Sequence, residues 1–291
     1  MTVSYRRATE RDIAESAEIF LESVVDMYAR KGIKSPPPER SVVLMNYGHV
    51  FRTGIFYVAE VDGALATICH AVVRDRLWFL SGFWARPGLQ GKSIGGKLLR
   101  IVMDEGAQLG AETFFTWSSV DLTAMATYMK TGMLPGYQIL TFAGKPVEAA
   151  GKSEASLEVV PLSTAVASAI DKTVRETGRE EDHRFWLMEA GCEGREVVRE
   201  GRTLGYFYFN KGTIGPAAWL ETEDAESLLE AALPEASRET GEVRLMIPGV
   251  NHAGLRFALS RGLRLTGFSH LLTSAPFGRM QQYLSSGPSL F

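Results

Sequence analysis

The residues with the clearest chemical potential form one glycine-rich turn, Gln90–Gly96, directly before an apolar-periodic segment. Its glycines allow the backbone to curl until successive N–H groups point at one spot. At a helix N-terminus such groups carry about half a positive charge, which favours an anion. Lys92 and Lys97 add cationic side chains. We interpret the turn as a pyrophosphate cradle, with an ordinary strand-to-helix turn as the competing interpretation.

Alternation and periodicity predict the elements that must position this turn. A strand over Arg76–Ala85 precedes it and a helix over Gly96–Leu109 follows it. The segment Lys34–Arg40 contains three prolines in a row and is predicted to be a loop. The other elements predicted in the first half are the strands Val3–Arg7, Gly54–Glu60, Ala64–Val73, Thr113–Ser118 and Tyr137–Phe142 and the helices Ile13–Tyr28 and Thr123–Thr131.

Composition limits the class of protein. The composition, 45% hydrophobic and 22% charged, is typical of a soluble globular protein. The length of 291 residues favours two domains, with one large domain as the alternative. The net charge of −3 gives no sign of the basic face that a duplex-DNA binder needs. No apolar run is long enough to span a bilayer, and the start lacks the apolar core of a signal peptide. The expectation is a cytoplasmic protein that binds neither nucleic acid nor membrane.

Cysteines and histidines offer no metal site. Cys69 and Cys192 are too few for a disulfide framework and are interpreted as two buried thiols. The five histidines show no ligand-type spacing, so no metal is expected.

Two similar blocks lie on either side of a polar linker, Gly144–Ala155. Adding 130 to a residue number places Leu98 on Leu228 and Asp121 on Asn251, with the order of elements preserved. We interpret this as an internal repeat of one fold. The predicted domains are residues 1–146 and 156–291.

Two motifs in the first block resemble the GNAT superfamily of N-acetyltransferases. The segment Gln90-Gly-Lys-Ser-Ile-Gly95 is similar to its phosphate-loop signature Gln/Arg-x-x-Gly-x-Gly/Ala, with Ser93 in place of the usual glycine. The segment Asp121–Met133 resembles a second family pattern, Asn-x-x-Ala-x-x-x-Tyr-x-x-x-Gly-Phe, with Asp121 for Asn and Met133 for Phe. The resemblance covers most of residues 1–143.

The resemblance implies an α/β (α+β) fold of two tandem GNAT-like domains, each a mixed, mostly antiparallel sheet flanked by helices. It implies acetyl-CoA as co-substrate and direct attack of an amine on the thioester. Tyr128 would protonate the departing thiolate, and packing into the core is the competing interpretation for this side chain. The residues implied to bind the cofactor are Phe83, Trp84, Ala85, Gln90, Gly91, Lys92, Ser93, Ile94, Gly95, Gly96 and Asp121.

An amine must lose a proton before it attacks, because its ordinary pKa is near ~10.4. Many GNAT relatives place a Glu on the strand before the phosphate turn, but Leu77–Ala85 contains no acid and no histidine. Water, the backbone, Asp75, Asp121 and His70 therefore all stay open as the proton acceptor.

The second block lacks the phosphate-binding glycines. At the corresponding position Leu220–Glu226 carries four carboxylates, which would repel a pyrophosphate and suit the helix dipole themselves. The position of Tyr128 falls on Ala258. This block is expected to be a degenerate GNAT-like domain that does not bind CoA.

The leading hypothesis is an acetyl-CoA-dependent N-acetyltransferase acting on a small-molecule or peptide amine, as a monomer or homodimer. The alternative is a non-catalytic acyl-CoA- or ligand-binding protein on a degenerate GNAT fold. A nucleotide-binding module of another βαβ fold is disfavoured, because neither GxGxxG nor GxxxxGK[ST] is present.

Overall fold

The chain divides into two compact units, Met1–Thr116 and Trp117–Phe291. The computed structural model describes residues 2–89, 94–147 and 157–291. Most of the predicted linker lies outside these residues, so the domain limits 1–146 and 156–291 stay a prediction.

The first unit is a five-stranded sheet with three helices. Its strands are β1 (Val3–Arg7), β2 (Ile55–Val61), β3 (Ala64–Arg74), β4 (Leu77–Ala85) and β5 (Thr113–Ser118), and its helices are α1 (Asp12–Lys31), α2 (Arg40–Thr53) and α3 (Ile94–Gln108). The strand order is β1-β2-β3-β4-β5. The first three pairs are antiparallel and β4–β5 is parallel. The strands and helices predicted from the sequence are confirmed here, and α2 was not predicted.

The second unit has a larger sheet. Its helices are α4 (Leu122–Met129), α5 (Thr164–Val174), α6 (Glu180–Met188), α7 (Ala225–Ser237) and α8 (His252–Ser260). Its strands are β6 (Leu134–Gly144), β7 (Leu157–Pro161), β8 (Glu193–Arg199), β9 (Arg202–Asn210), β10 (Thr213–Trp219), β11 (Val243–Pro248), β12 (Arg264–Thr273) and β13 (Tyr283–Leu284). The order is β12-β6-β11-β10-β9-β8-β7, and β13 pairs with β10.

The order of elements repeats along the chain, as the sequence predicted. The series from β1 to β6 has the same succession of strands and helices as the series from β7 to β12. Corresponding helices begin on corresponding caps, because Asp121 accepts hydrogen bonds at the start of α4 and Asn251 does so at the start of α8. After each helix a glycine, Gly132 or Gly262, takes a positive φ of 91° or 73°. We refer to the two series as the first and second repeats.

The last strand of the first repeat is part of the second unit's sheet. Strand β6 lies between β11 and β12 and is antiparallel to both, with Leu140 opposite Ile247 on one edge and Phe268 on the other. This pairing explains why the compact units divide at Thr116 rather than after β6.

Each repeat packs its own apolar cluster against its sheet. In the first repeat Ile19, Tyr47, Phe56 and Ile68 join α1 and α2 to the sheet. In the second repeat, Phe207, Trp219, Leu228 and Leu245 belong to a cluster beneath α7. The cluster of the first repeat packs α1 and α2 against β2 and β3, next to the strand that leads to the candidate site.

Candidate functional site

Strand β4 leaves its parallel partner part-way along its length. The register with β5 runs from Leu77–Thr113 to Leu80–Thr116 and ends there. At this point β4 has a β-bulge, since His70 of β3 lies opposite Gly82 while Ala71 lies opposite Leu80. A bulge bends a strand and increases its local twist. Residues 81–85 therefore continue along β3 after the pairing with β5 has ended.

The two aromatic side chains at the end of β4 point to opposite faces of the sheet. Phe83 lies against the first turn of α3, where a Cβ built on Gly95 would be 2.7 Å from its Cζ atom. Trp84 packs edge-on against Phe20 of α1, with ring centroids 4.9 Å apart. Both side chains act in packing, so a ligand would meet β4 through its backbone.

The end of β4 is held to α1 by polar contacts. The Ser23 hydroxyl donates to the Ala85 carbonyl oxygen at 2.9 Å. Arg86 forms ion pairs with Glu22 at 2.7 Å and Glu15 at 2.8 Å. Its Nε also donates to the Leu65 carbonyl at 2.9 Å. These contacts hold the end of β4 against α1 at the point where the chain leaves the sheet.

The start of α3 has the chemistry of an anion site. The first N–H groups of an α-helix have no carbonyl partner within the helix and favour an anion. The first turn contains no acidic residue. Gly96 is exposed, and a Cβ built on it would meet no atom of the described residues within 4 Å. The Lys97 ammonium lies 4.8 Å from the centroid of the Tyr5 ring, a cation–π contact that holds it at the sheet edge.

Four of the predicted phosphate-binding residues, Gln90, Gly91, Lys92 and Ser93, lie outside the described residues. Their roles stay predictions from the sequence. The structure brings together Phe83 and Gly95, and it places Ile94 and Gly96 in the same first turn of α3.

The three side chains left open as proton acceptors are in different settings. Asp75 is exposed in the β3–β4 turn with φ 47°, at the opposite end of β4 from Ala85. A nine-residue strand spans roughly 25–30 Å, so Asp75 is far from the turn. Asp121 accepts hydrogen bonds from Thr123 N at 2.9 Å and Ala124 N at 3.1 Å and thus caps α4.

His70 is fully buried beside the bulge. Its ring lies 4.5 Å from that of Tyr47 and 4.6 Å from that of Phe56. Burial lowers the pKa of His70 to about 3, so the ring is neutral at pH 7. Neither ring nitrogen has a hydrogen-bond partner in the described part of the chain. A Cβ on Gly82 would be 2.3 Å from its Nε2, so the imidazole needs a glycine at that point of β4.

Tyr128 is buried in α4 of the second unit, with 6% of its surface exposed. Its carbonyl accepts from Thr131 Oγ1 and from Met133 N at the end of the helix. The acid role of its hydroxyl and the cofactor-binding role of Asp121 stay predictions.

Sequence reasoning missed α2 and therefore Tyr47, which covers His70. The buried residues Val43, Tyr47 and Val50 are spaced by four and three, a helical pattern that was present in the sequence. The three prolines before it predicted a loop, and the apolar stripe after them is too short to stand out as a helix.

In the second repeat the start of α7 is acidic. Thr222–Asp224 forms a single 3-10 turn leading into the helix, and Glu223, Asp224 and Glu226 lie within the first helical turns. The Asp224 carboxylate accepts two hydrogen bonds from Arg202, both of 2.8 Å. These carboxylates lie at the helix N-terminus, where the dipole favours negative charge, whereas the first turn of α3 contains no acidic residue.

The described residues contain neither a metal cluster nor a membrane-spanning helix. Within residues 2–89, 94–147 and 157–291 no group of three or more His, Cys, Asp or Glu side chains is arranged to hold a metal ion. None of the helices in the described part of the chain has the length and apolarity needed to cross a bilayer. Cys69 is buried and Cys192 half-buried, and burial raises the pKa of both thiols.

Comparison with known proteins gives a family match for part of the chain. Residues 21–133 match the model of the acetyltransferase (GNAT) family. Residues 21–133, most of the first repeat, are thus similar to the GNAT acetyltransferase family, as the two sequence motifs suggested. No curated protein is significantly similar to it in sequence.

Solved structures extend the GNAT fold to the whole chain. A Pyrococcus horikoshii protein described as a candidate acetyltransferase has a TM-score of 0.77 at 15% identity, over 99% of this chain and 96% of that one. A tandem GNAT protein from the clavulanic acid biosynthesis pathway has a TM-score of 0.60 at 13% identity, over 94% of this chain and 99% of that one. A GCN5-related N-acetyltransferase from Sphaerobacter thermophilus has a TM-score of 0.66 at 14% identity, over 93% and 95%. The α/β fold of two tandem GNAT repeats is thereby confirmed.

Proposed function

We propose that the first repeat is an N-acetyltransferase that uses acetyl-CoA and acetylates the amine of a small molecule or peptide. The family match supports acyl transfer in general. The observation that carries the finer proposal is the combination at β4 and α3. The pairing of β4 with β5 ends at Leu80, and the helix that follows β4, α3, has Gly95 and Gly96 and no acid in its first turn.

The two features fit the two ends of a CoA molecule. The backbone of Phe83–Ala85 runs beyond the pairing with β5 and is proposed to bind the pantetheine arm as an added strand would. The first turn of α3, together with Gln90–Ser93, is proposed to bind the pyrophosphate. No described residue lies within 4 Å of a Cβ built on Gly96, and we propose that an anion approaches the backbone closely there.

In the proposed reaction the acceptor nitrogen attacks the thioester carbonyl carbon. An N–C bond forms, the C–S bond breaks, and the sulfur leaves as a thiolate that takes up one proton. The acceptor nitrogen loses one proton. Tyr128 is proposed to protonate the thiolate, on the strength of the motif Asp121–Met133 alone. No acid or histidine lies on β4, so the amine proton goes to water or to a group from another element.

The experiment is thiol release from acetyl-CoA across a panel of amines, with wild-type protein and Gly96→Val. The expected result is amine-dependent thiol release that Gly96→Val lowers at least about tenfold, because a bulky side chain would exclude the cofactor. Binding of acetyl-CoA without thiol release for any amine would instead show a non-catalytic acyl-CoA-binding protein.

A cytoplasmic location and a monomeric or homodimeric state are part of this proposal, as is the absence of metal, nucleic acid and membrane from its chemistry. The acidic balance of 34 Asp and Glu against 31 Lys and Arg supports a small-molecule or peptide acceptor rather than a polyanion.

A further inference from the structure

In each repeat two parallel strands pair only at their start and leave a gap beyond it, between β4 and β5 in the first repeat and between β10 and β11 in the second. In the second repeat this gap is filled by a later part of the same chain. The parallel register of β10 and β11 contains only Thr213–Arg244 and Ile214–Leu245. Strand β10 then has a bulge between Ile214 and Ala217, as β4 has one before Gly82. Aligning the two bulges places the segment Ala217-Ala-Trp-Leu220 on Gly82-Phe-Trp-Ala85.

Strand β13 occupies this gap as an antiparallel strand. Leu284 lies opposite Ala217 and Tyr283 lies opposite Ala218. The Gln282 side chain extends the contact, since its Nε2 donates to the Leu220 carbonyl at 2.6 Å. Ala217–Leu220 corresponds to the stretch of β4 that is proposed to hold pantetheine.

The other wall of the gap also binds β13. Ser285 N donates to the Met246 carbonyl of β11 at 3.0 Å. Asn251 caps α8 through its Oδ1, which accepts from Gly254 N, and its Nδ2 donates to the Tyr283 carbonyl at 2.9 Å. Tyr283 and Leu284 have no exposed surface. A two-residue strand is thus held from both sides and fully buried.

Residues 283–291, which begin with β13, also contact a buried polar cluster formed by α5, α6 and β9. Arg179 Nη2 donates to Tyr283 Oη at 2.9 Å and Nη1 to the Phe291 carbonyl at 2.5 Å. The Asp171 carboxylate balances Arg179 and accepts from Tyr206 Oη at 2.6 Å. In the order of elements α5 and α6 correspond to α1 and α2. The segment therefore contacts both the strand wall and the helix wall of the second repeat.

We propose that residues 282–291 are a resident peptide ligand of the second repeat, occupying the cleft that corresponds to the cofactor cleft of the first. The site binds an extended peptide strand through backbone pairing to β10 and β11 and through Arg179. It does not exchange this strand for acetyl-CoA. The chain accordingly offers one acetyl-CoA cleft rather than two.

The test is hydrogen exchange followed by mass spectrometry on the full chain, with and without acetyl-CoA. Without cofactor, the amides of residues 283–285 are expected to exchange at least about a thousandfold more slowly than in an unstructured peptide. Saturating acetyl-CoA should leave that exchange unchanged while slowing exchange in residues 83–96. Rapid exchange at 283–285 without cofactor, or faster exchange on adding acetyl-CoA, would overturn the proposal.

A matched pair of variants isolates the contact that holds β13. Asn251→Ser keeps a capping oxygen for α8 but removes the donor to the Tyr283 carbonyl, so exchange at 283–285 should rise about tenfold. Asp121→Ser makes the equivalent change at the cap of α4 and should leave exchange at 283–285 unchanged. Equal exchange at 283–285 in both variants would contradict the role of Asn251.

The two proposals fail separately. If acetyl-CoA slows exchange in neither repeat while residues 283–285 still exchange slowly, the acetyl-CoA proposal is wrong and the resident-strand proposal is supported. If acetyl-CoA protects residues 217–220 and 246–251, the cleft of the second repeat is open to the cofactor and the resident strand is wrong.

Discussion

Adjacent glycines at the start of α3 have different physical roles. Gly95 makes room for the ring of Phe83, because a Cβ there would be 2.7 Å from Cζ. Gly96 faces open space. The sequence predicted that both would serve the phosphate loop, but a substitution at Gly95 acts first on Phe83. A side chain at Gly96 would displace no described residue, so this position tests cofactor binding without disturbing Phe83.

This difference predicts opposite effects on stability. Gly96→Ala should raise the free energy of unfolding by about 0.5–1 kcal/mol, since alanine favours a helix and meets no neighbour. Gly95→Ala should lower it by about 1–2 kcal/mol, because Phe83 must move. Urea unfolding of the two variants measures both changes. Equal stabilisation by the two substitutions would show that Phe83 does not confine Gly95.

The proposed acid Tyr128 gives a kinetic prediction. A thiol with a pKa near ~8.5 leaves readily, so the dependence on an acid should be at the low end of the usual range. Tyr128→Phe is expected to cut turnover by about 10- to 100-fold while acetyl-CoA affinity stays within about threefold. Steady-state thiol release and calorimetric titration measure the two quantities.

Ala258 occupies the corresponding position in the second repeat and supplies the control. Ala258→Ser should leave turnover unchanged. Full turnover in Tyr128→Phe would mean that the side chain serves only in packing. A loss of turnover in Ala258→Ser but not in Tyr128→Phe would mean that the active cleft belongs to the second repeat.

Among the elements, His70 lies where α2, β2, β3 and β4 meet, and it makes this packing sensitive to acid. Burial lowers its pKa to about 3 in the folded chain, against ~6.5 when unfolded. As pH falls below ~6.5 the unfolded chain takes up the proton first, so stability declines with falling pH. Burial also lowers the pKa of His183, which acts in the same direction.

The expected size follows from the shift. Between pH 7.5 and pH 5, His70 should cost about 2 kcal/mol of unfolding free energy, from 1.36 kcal/mol for each pH unit below ~6.5. His70→Leu should remove that part of the pH dependence. The exposed residue His252 provides the control variant His252→Asn, which should retain it. Urea unfolding at the two pH values measures this loss. If His70→Leu loses as much unfolding free energy between pH 7.5 and pH 5 as the wild type, His70 is not the source of the pH dependence.

The Asp171 cluster responds in a lower pH range. Burial alone would raise the pKa of Asp171, but the charge of Arg179 and the hydrogen bond to His183 outweigh it and hold that pKa below its usual range. A carboxylate of this kind contributes stability above ~4 and loses it as pH falls further. Loosening of α5 and α6 from β9 is therefore expected only in stronger acid than the His70 effect.

Sequence patterns predicted individual elements better than their partners. Alternation was sufficient for the strand over Tyr137–Phe142, because alternation is a local property. It did not show that this strand, β6, would lie between β11 and β12, since that pairing joins residues about a hundred or more positions apart. Likewise, nothing local marks Tyr283–Leu284 as a strand, because two residues show no period.

At the scale of the whole molecule, the two repeats share one fold but differ in the cleft between their parallel strands. Corresponding caps, glycines and bulges preserve one fold, while the two clefts differ in charge and in content. The first leads to a helix start without acid, and the second to Glu223 and Asp224 with β13 in the gap. The carboxylates were visible in the sequence, but the resident strand was not.

The most direct test of this account is a calorimetric titration of acetyl-CoA into the wild-type chain and into Gly96→Val. We expect one molecule bound per chain in the wild type, and affinity at least about tenfold weaker in a folded Gly96→Val. Absence of binding by the wild type, two molecules per chain, or undiminished affinity in Gly96→Val would contradict the assignment of a single acetyl-CoA site to the first repeat.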